Sequence, residues 1–157
     1  MNEVQQHHQR VDRRRILVVE PSAEDAKTIE QALSRTHPHL RLEFASREDG
    51  IAERLLAAPT LPGLVLLNVH LPEHQGHAVL RAIRSHPHLS EVTVVVFTPS
   101  TSPTEVDSCY QAGADSYVYK PVNFALFRTA LKGAIDYWQD SASRIRGSLD
   151  GSCPTPR

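Results

Sequence analysis

Five short apolar runs recur along the chain, and each is followed by a stretch whose apolar positions return every three or four residues. The runs are RILVVE (15–20), LRLEFA (40–45), GLVLLN (63–68), VTVVVF (92–97) and SYVY (116–119). LRLEFA alternates apolar and polar side chains, whereas RILVVE is continuous and β-branched, the pattern of a strand buried on both faces. Between the runs lie helices. Ser22 and Asp25 form a capping-box pair ahead of a helix whose Ala26, Ile29 and Leu33 share one face. Ser46 and Asp49 repeat that signature before Ile51, Leu55 and Leu56. Val79, Leu80 and Ile83 mark a third helix that should stop near His86, because Pro87 follows. A fourth is predicted from about Thr104 to Ala112, and a longer fifth from Phe124 to Trp138 or slightly beyond.

Strict strand–helix alternation with short connections dictates an α/β fold: a five-stranded parallel sheet wound with helices on both faces. A chain of 157 residues fits one such domain. Residues 1–13 and 141–157 lack periodicity and read as a flexible N-terminal arm and C-terminal tail around a domain at 14–140. The net charge of −1 and pI near 6.7 argue against a nucleic-acid binder. No apolar run approaches the ~20 residues of a membrane helix, and the polar N-terminus is no signal peptide. Cys109 and Cys153 show neither paired nor metal-type spacing, as expected of reduced thiols in the cytoplasm.

In such a sheet, function gathers beyond the carboxyl ends of the strands. That rule selects Glu20 and Pro21 after the first strand, Asn68 after the third, Thr98 after the fourth, and Lys120 with Pro121 after the fifth. A carboxylate, an amide, a hydroxyl and an ammonium should converge there. With ILVVE, LPEHQG, FTPS and GADSYVYKPV beside them, these residues resemble the receiver domains of two-component response regulators. The resemblance covers residues 14 to 140 and implies a flavodoxin-like (βα)5 doubly wound sheet. In that family an Asp after the third strand accepts a phosphoryl group from a sensor histidine kinase. A pair of acids after the first strand holds Mg²⁺ with it. The hydroxyl of the fourth strand and the lysine of the fifth bind the phosphoryl oxygens, and an aromatic at the place of Tyr117 completes a switch with Thr98.

The departures from that pattern are informative. Asn68 stands at the acceptor position and Pro21 at the second of the paired acids, while Glu20, Thr98, Tyr117 and Lys120 match. The delocalised nitrogen and uncharged oxygen of an amide cannot form an acyl phosphate. An Asn here alone could be an engineered trap, but Pro21 beside Glu20 argues for natural divergence. Three carboxylates and one lysine give an ordinary receiver site a net charge of about −2, which Mg²⁺ offsets. Glu20 against Lys120 leaves about zero, a poor offer to an ion that dehydrates reluctantly. Glu73 and Asp25 are the nearest substitute carboxylates and read as solvated or capping groups.

His70, His74 and His77 lie in or beside this pocket, but their spacing matches no zinc motif, and exposed polar residues are expected. His37, His39, His86 and His88 read as loop residues, and Arg10 with Arg13 to Arg15 as a solvated arm. In the last helix, Phe127, Leu131, Ile135 and Trp138 form an inward stripe. A second weakly apolar stripe, Leu126, Ala130, Gly133 and Tyr137, is surplus to packing and marks an interface. The ending IDYW, without an output domain, also resembles single-domain regulators that accompany bacterial phytochrome kinases.

The expectation is a pseudo-receiver: a phosphorylation-independent signalling module, with no enzymatic activity, cofactor or metal. It should act by dimerising or by binding a histidine kinase or downstream regulator, without nucleic acid or membrane. The alternative is a phosphorelay or enzymatic domain with a substitute acceptor, although EPSAED after the first strand has no glycine to cradle phosphate. A DNA-binding regulator would need a recognition module that the C-terminal tail is too short to hold.

Overall fold

The computed structural model describes residues 9–46, 50–67, 75–99 and 102–147; side chains at 75–76 and 140–147 lie outside that description. Five parallel strands form one sheet in the order β2-β1-β3-β4-β5. They are β1 (Arg10–Val19), β2 (Arg41–Ala45), β3 (Thr60–Leu67), β4 (Val94–Thr98) and β5 (Ser116–Tyr119). The helices are α1 (Ala23–Thr36), α2 (Ile51–Ala57), α3 (Gln75–Arg84), α4 (Pro103–Ala112) and α5 (Phe124–Gly147), with a 3₁₀ turn at Pro87–Leu89. The flavodoxin-like (βα)5 fold is the one the alternation predicts.

Alternate residues of the central strands feed two cores. Leu17, Val19, Val65 and Leu67 join Leu55, Leu80, Ile83 and Cys109 on the α2–α3–α4 face. Ile16, Val18, Leu64 and Leu66 join Ile29, Leu33, Phe127, Leu131 and Ile135 on the α1–α5 face. Both faces of these strands are therefore dry, which is why their sequence is continuously apolar.

Element boundaries differ from the sequence reading in several places, and the largest differences have physical reasons. β1 starts at Arg10, inside the segment read as an arm, because Arg10, Val11 and Asp12 pair with Thr60, Leu61 and Pro62. Pro62 is tolerated in β3 because the pairing with β4 begins only at Val65, so no neighbour on that side needs its missing N–H. Helix α2 is capped by Gly50 rather than by the Ser46–Asp49 signature, most of which lies outside the described residues. Helix α5 continues to Gly147, past the boundary at 140 where periodicity fades. Gly113 ends α4 with φ 115, in the left-handed region, and a Cβ there would also lie 2.5 Å from the side chain of Arg84.

Candidate functional site: a lysine held by two carboxylates

The carboxyl ends of the strands bring Glu20, Thr98 and Lys120, three of the four expected groups, to one end of the sheet. Glu20 directly follows β1 and is 3% exposed; its N–H donates to the Ala45 carbonyl at 2.9 Å, fixing it beside β2. Thr98, the last residue of β4, is 1% exposed, and its carbonyl accepts from the Lys120 N–H at 2.7 Å. That bond prolongs the β4–β5 ladder by one residue and aims the Lys120 side chain at the crevice. Tyr117 is half-buried and packs against the core of the α2–α3–α4 face, while its N–H donates to the Tyr110 hydroxyl at 3.1 Å. Pro21 is exposed between Glu20 and the N-cap Ser22. Asn68 follows the last residue of β3, and it lies outside the described residues together with His70, Glu73 and His74.

The ammonium of Lys120 has two carboxylate neighbours. Glu20 Oε1 stands 3.7 Å from Nζ, and Asp25 Oδ2 accepts from it at 2.5 Å. The contact with Asp25 corrects the reading of that residue as solvated or capping. Helix α1 begins as predicted, with Ser22 Oγ accepting from the Asp25 N–H at 3.2 Å. The Asp25 carboxylate does not return the bond to the Ser22 N–H. Glu20 Oε2 accepts that N–H instead, at 2.9 Å, and leaves the Asp25 side chain to reach across the sheet end to Lys120. The charge count changes accordingly. Two carboxylates and one ammonium give about −1 among the described residues, where Glu20 and Lys120 alone would give about zero.

Among the described residues, this donor set does not fit Mg²⁺. The ion takes near-ideal octahedral geometry and is held by carboxylates with several waters. Here both carboxylates face an ammonium, and Glu20 also accepts a backbone N–H. No cluster of three His, Cys, Asp or Glu side chains among the described residues is arranged to hold a metal.

Two histidines read as surface residues are buried. His77, on the first turn of α3, is 5% exposed with Nε2 3.6 Å from Cys109 Sγ on α4. Burial, and then the charge of Glu105, pushes the Cys109 thiol up to about 11. His37 caps α1 at 6% exposure. Its Nε2 is 2.6 Å from Asp136 Oδ1, and its Nδ1 is 2.8 Å from Thr36 Oγ1. The hydrogen bond from Lys132, and then that from His37, hold the Asp136 carboxyl below its ordinary value. His37 thus ties α1 to α5 across 99 residues of sequence.

The predicted inward stripe of α5 is observed, with Phe127, Leu131 and Ile135 buried and Trp138 packed beside them. On its other side Leu126 and Tyr137 are each 59% exposed, Ala130 is half-buried, and Gly133 faces open space.

A family model for the response regulator receiver domain matches residues 16–132. The chain belongs to the receiver-domain family. Among curated proteins it is similar to Response regulator Rcp1 of Synechocystis sp., at 27% identity over 82% of this chain and 90% of Rcp1. It is also 30% identical to the “Probable cyclic di-GMP phosphodiesterase” of Vibrio cholerae over 86% of its own length, but spans only 32% of that protein. In fold it matches the phosphorylated cyanobacterial phytochrome response regulator RcpA, with a TM-score of 0.74 at 24% identity over 83% of this chain and 96% of RcpA. Receiver domains are signalling modules, and none of the described helices is long and apolar enough to cross a membrane.

Proposed function

We propose that this receiver domain has left phosphorylation behind and signals through protein–protein contacts: self-association, or binding to a histidine kinase or a downstream regulator in the cytoplasm. The observation that carries this reading is the amide of Asn68 directly after β3, where the family's chemistry needs a carboxylate. Two further features support it. Pro21 removes the second acid after β1, and the ammonium of Lys120 sits on Glu20 and Asp25 instead of waiting for a phosphoryl oxygen. Thr98 and Tyr117 retain the residue types of the switch. With no phosphoryl group to bias it, a partner shifts that switch only by contacting its two positions differently.

The stripe of Leu126, Ala130, Gly133 and Tyr137, exposed at all but the half-buried Ala130, supplies the contact surface, and small residues at its centre admit a close approach. The test is sedimentation velocity of the whole chain with and without acetyl phosphate and Mg²⁺. Self-association that is unchanged by the phosphodonor, and weakened in Leu126→Glu, is the expected result. Asp25 favours a second reading, a phosphorelay domain with a substitute acceptor. Its carboxylate lies in the crevice against the lysine that would bind phosphoryl oxygens.

A further inference from the structure

At the opposite end of the sheet, the amino-terminal parts of β1 and β3 and the later turns of α5 border a half-open cavity of about 230 Å³. Ile135 and Trp138 of α5 line it, with His39 from the α1–β2 connection, Gly63 of β3, and both Arg13 and Arg14 of β1. Successive residues of a regular strand point to opposite faces, so two neighbouring arginines should not share a cavity. They share this one because β1 breaks register with β3 between Asp12 and Ile16. The break brings the chains so close that a Cβ on residue 63 would lie 2.9 Å from the Arg13 Cα, which is why a glycine stands there.

The charge at this cavity is unbalanced. Arg15, the next residue, is engaged by Glu43 at 2.6 Å and by the Thr60 carbonyl at 2.6 Å. Neither Arg13 nor Arg14 makes a salt bridge from its guanidinium among the described residues. Guanidinium is charged at every accessible pH and matches a pair of oxygens of carboxylate or phosphate. Beside the two arginines lie an indole and an isoleucine, a surface that accepts a flat apolar body. The volume falls below the ~300 Å³ at which drug-sized pockets begin, which limits the occupant to one compact ring system.

We propose that this basal cavity binds a small aromatic anion: one ring system bearing a carboxylate or a phosphate, with the acid on Arg13 and Arg14 and the ring against Trp138. The site is separate from the Lys120 crevice and stands whether or not that crevice accepts phosphate.

The test uses the full chain, ¹⁵N-labelled, and the indole N–H resonance of its single tryptophan. Benzoate and indole-3-carboxylate probe the carboxylate class and phenyl phosphate the phosphate class, with neutral benzamide and inorganic sulfate as controls. The expected result is saturable movement of the Trp138 indole and the Arg13 and Gly63 amides by at least one aromatic anion. Benzamide and sulfate should each bind at least roughly tenfold more weakly, as should the anion to R13A/R14A, because charge-assisted hydrogen bonds are lost. Failure of all three aromatic anions to move these signals at millimolar concentration overturns the proposal. So does equal binding of benzoate and benzamide to the native chain, a comparison that needs no variant.

Discussion

On the proposed reading, Asn68 and Pro21 are two separate losses, and they make different demands on repair. Asn68→Asp alone restores a nucleophile but leaves the site without a second acid after β1, and adds a negative charge that no metal relieves. Charge developing on a transferred phosphoryl group would then be met mainly by Lys120, which Asp25 already holds at 2.5 Å. Pro21→Asp combined with Asn68→Asp should recover Mg²⁺ binding and measurable labelling, and the single change should label much more slowly at matched Mg²⁺. Equal rates for the two variants would mean that Pro21 is no lesion.

Cys109 gives a second prediction at this scale. A folded thiol raised to about 11 stays protonated while the unfolded thiol ionises near 9.0, so its contribution to stability is full below pH 9 and declines as pH rises towards 11. The urea midpoint should therefore fall between pH 8 and pH 10.5 less steeply in Cys109→Ala than in the native chain. Native Cys109 should also resist alkylation at neutral pH, as read by peptide mapping.

Helix α5 shows which elements announce themselves in sequence. Its inward stripe of Phe127, Leu131 and Ile135 is local periodicity, legible at once and confirmed by burial. The tie between its Asp136 and His37 was not legible, because nothing in a His flanked by Thr and Pro reveals a carboxylate 99 residues away. The same holds for Asp25, whose capping signature was real for the backbone but not for the carboxylate. The start of β1 escaped for a related reason. RVDRR has no apolar run, and only its ladder with Thr60–Pro62 makes it a strand. His37→Ala should cost about 1–3 kcal/mol, as expected when buried polar partners are left without their bonds, measured by chemical denaturation. Gly133→Ala should instead stabilise the helix by up to ~1 kcal/mol, since a Cβ there meets nothing within 4 Å. If the stripe is an interface, the same change should weaken self-association.

At the scale of the whole molecule, the five strand runs and their helices specify the sheet, because each buried strand must be apolar on both faces. The sheet in turn specifies where Glu20, Thr98 and Lys120 meet. What that meeting does is set by single residues, and the scaffold is indifferent to them: RcpA, with the same fold at a TM-score of 0.74, is known in a phosphorylated form. The central claim is therefore chemical, and intact-mass analysis of the native chain after incubation with acetyl phosphate and Mg²⁺ tests it most directly. The account predicts an unmodified mass under conditions that fully label an ordinary receiver domain run alongside. A phosphoryl adduct mapped by fragmentation to Asp25, or to any other residue of the crevice, would contradict it.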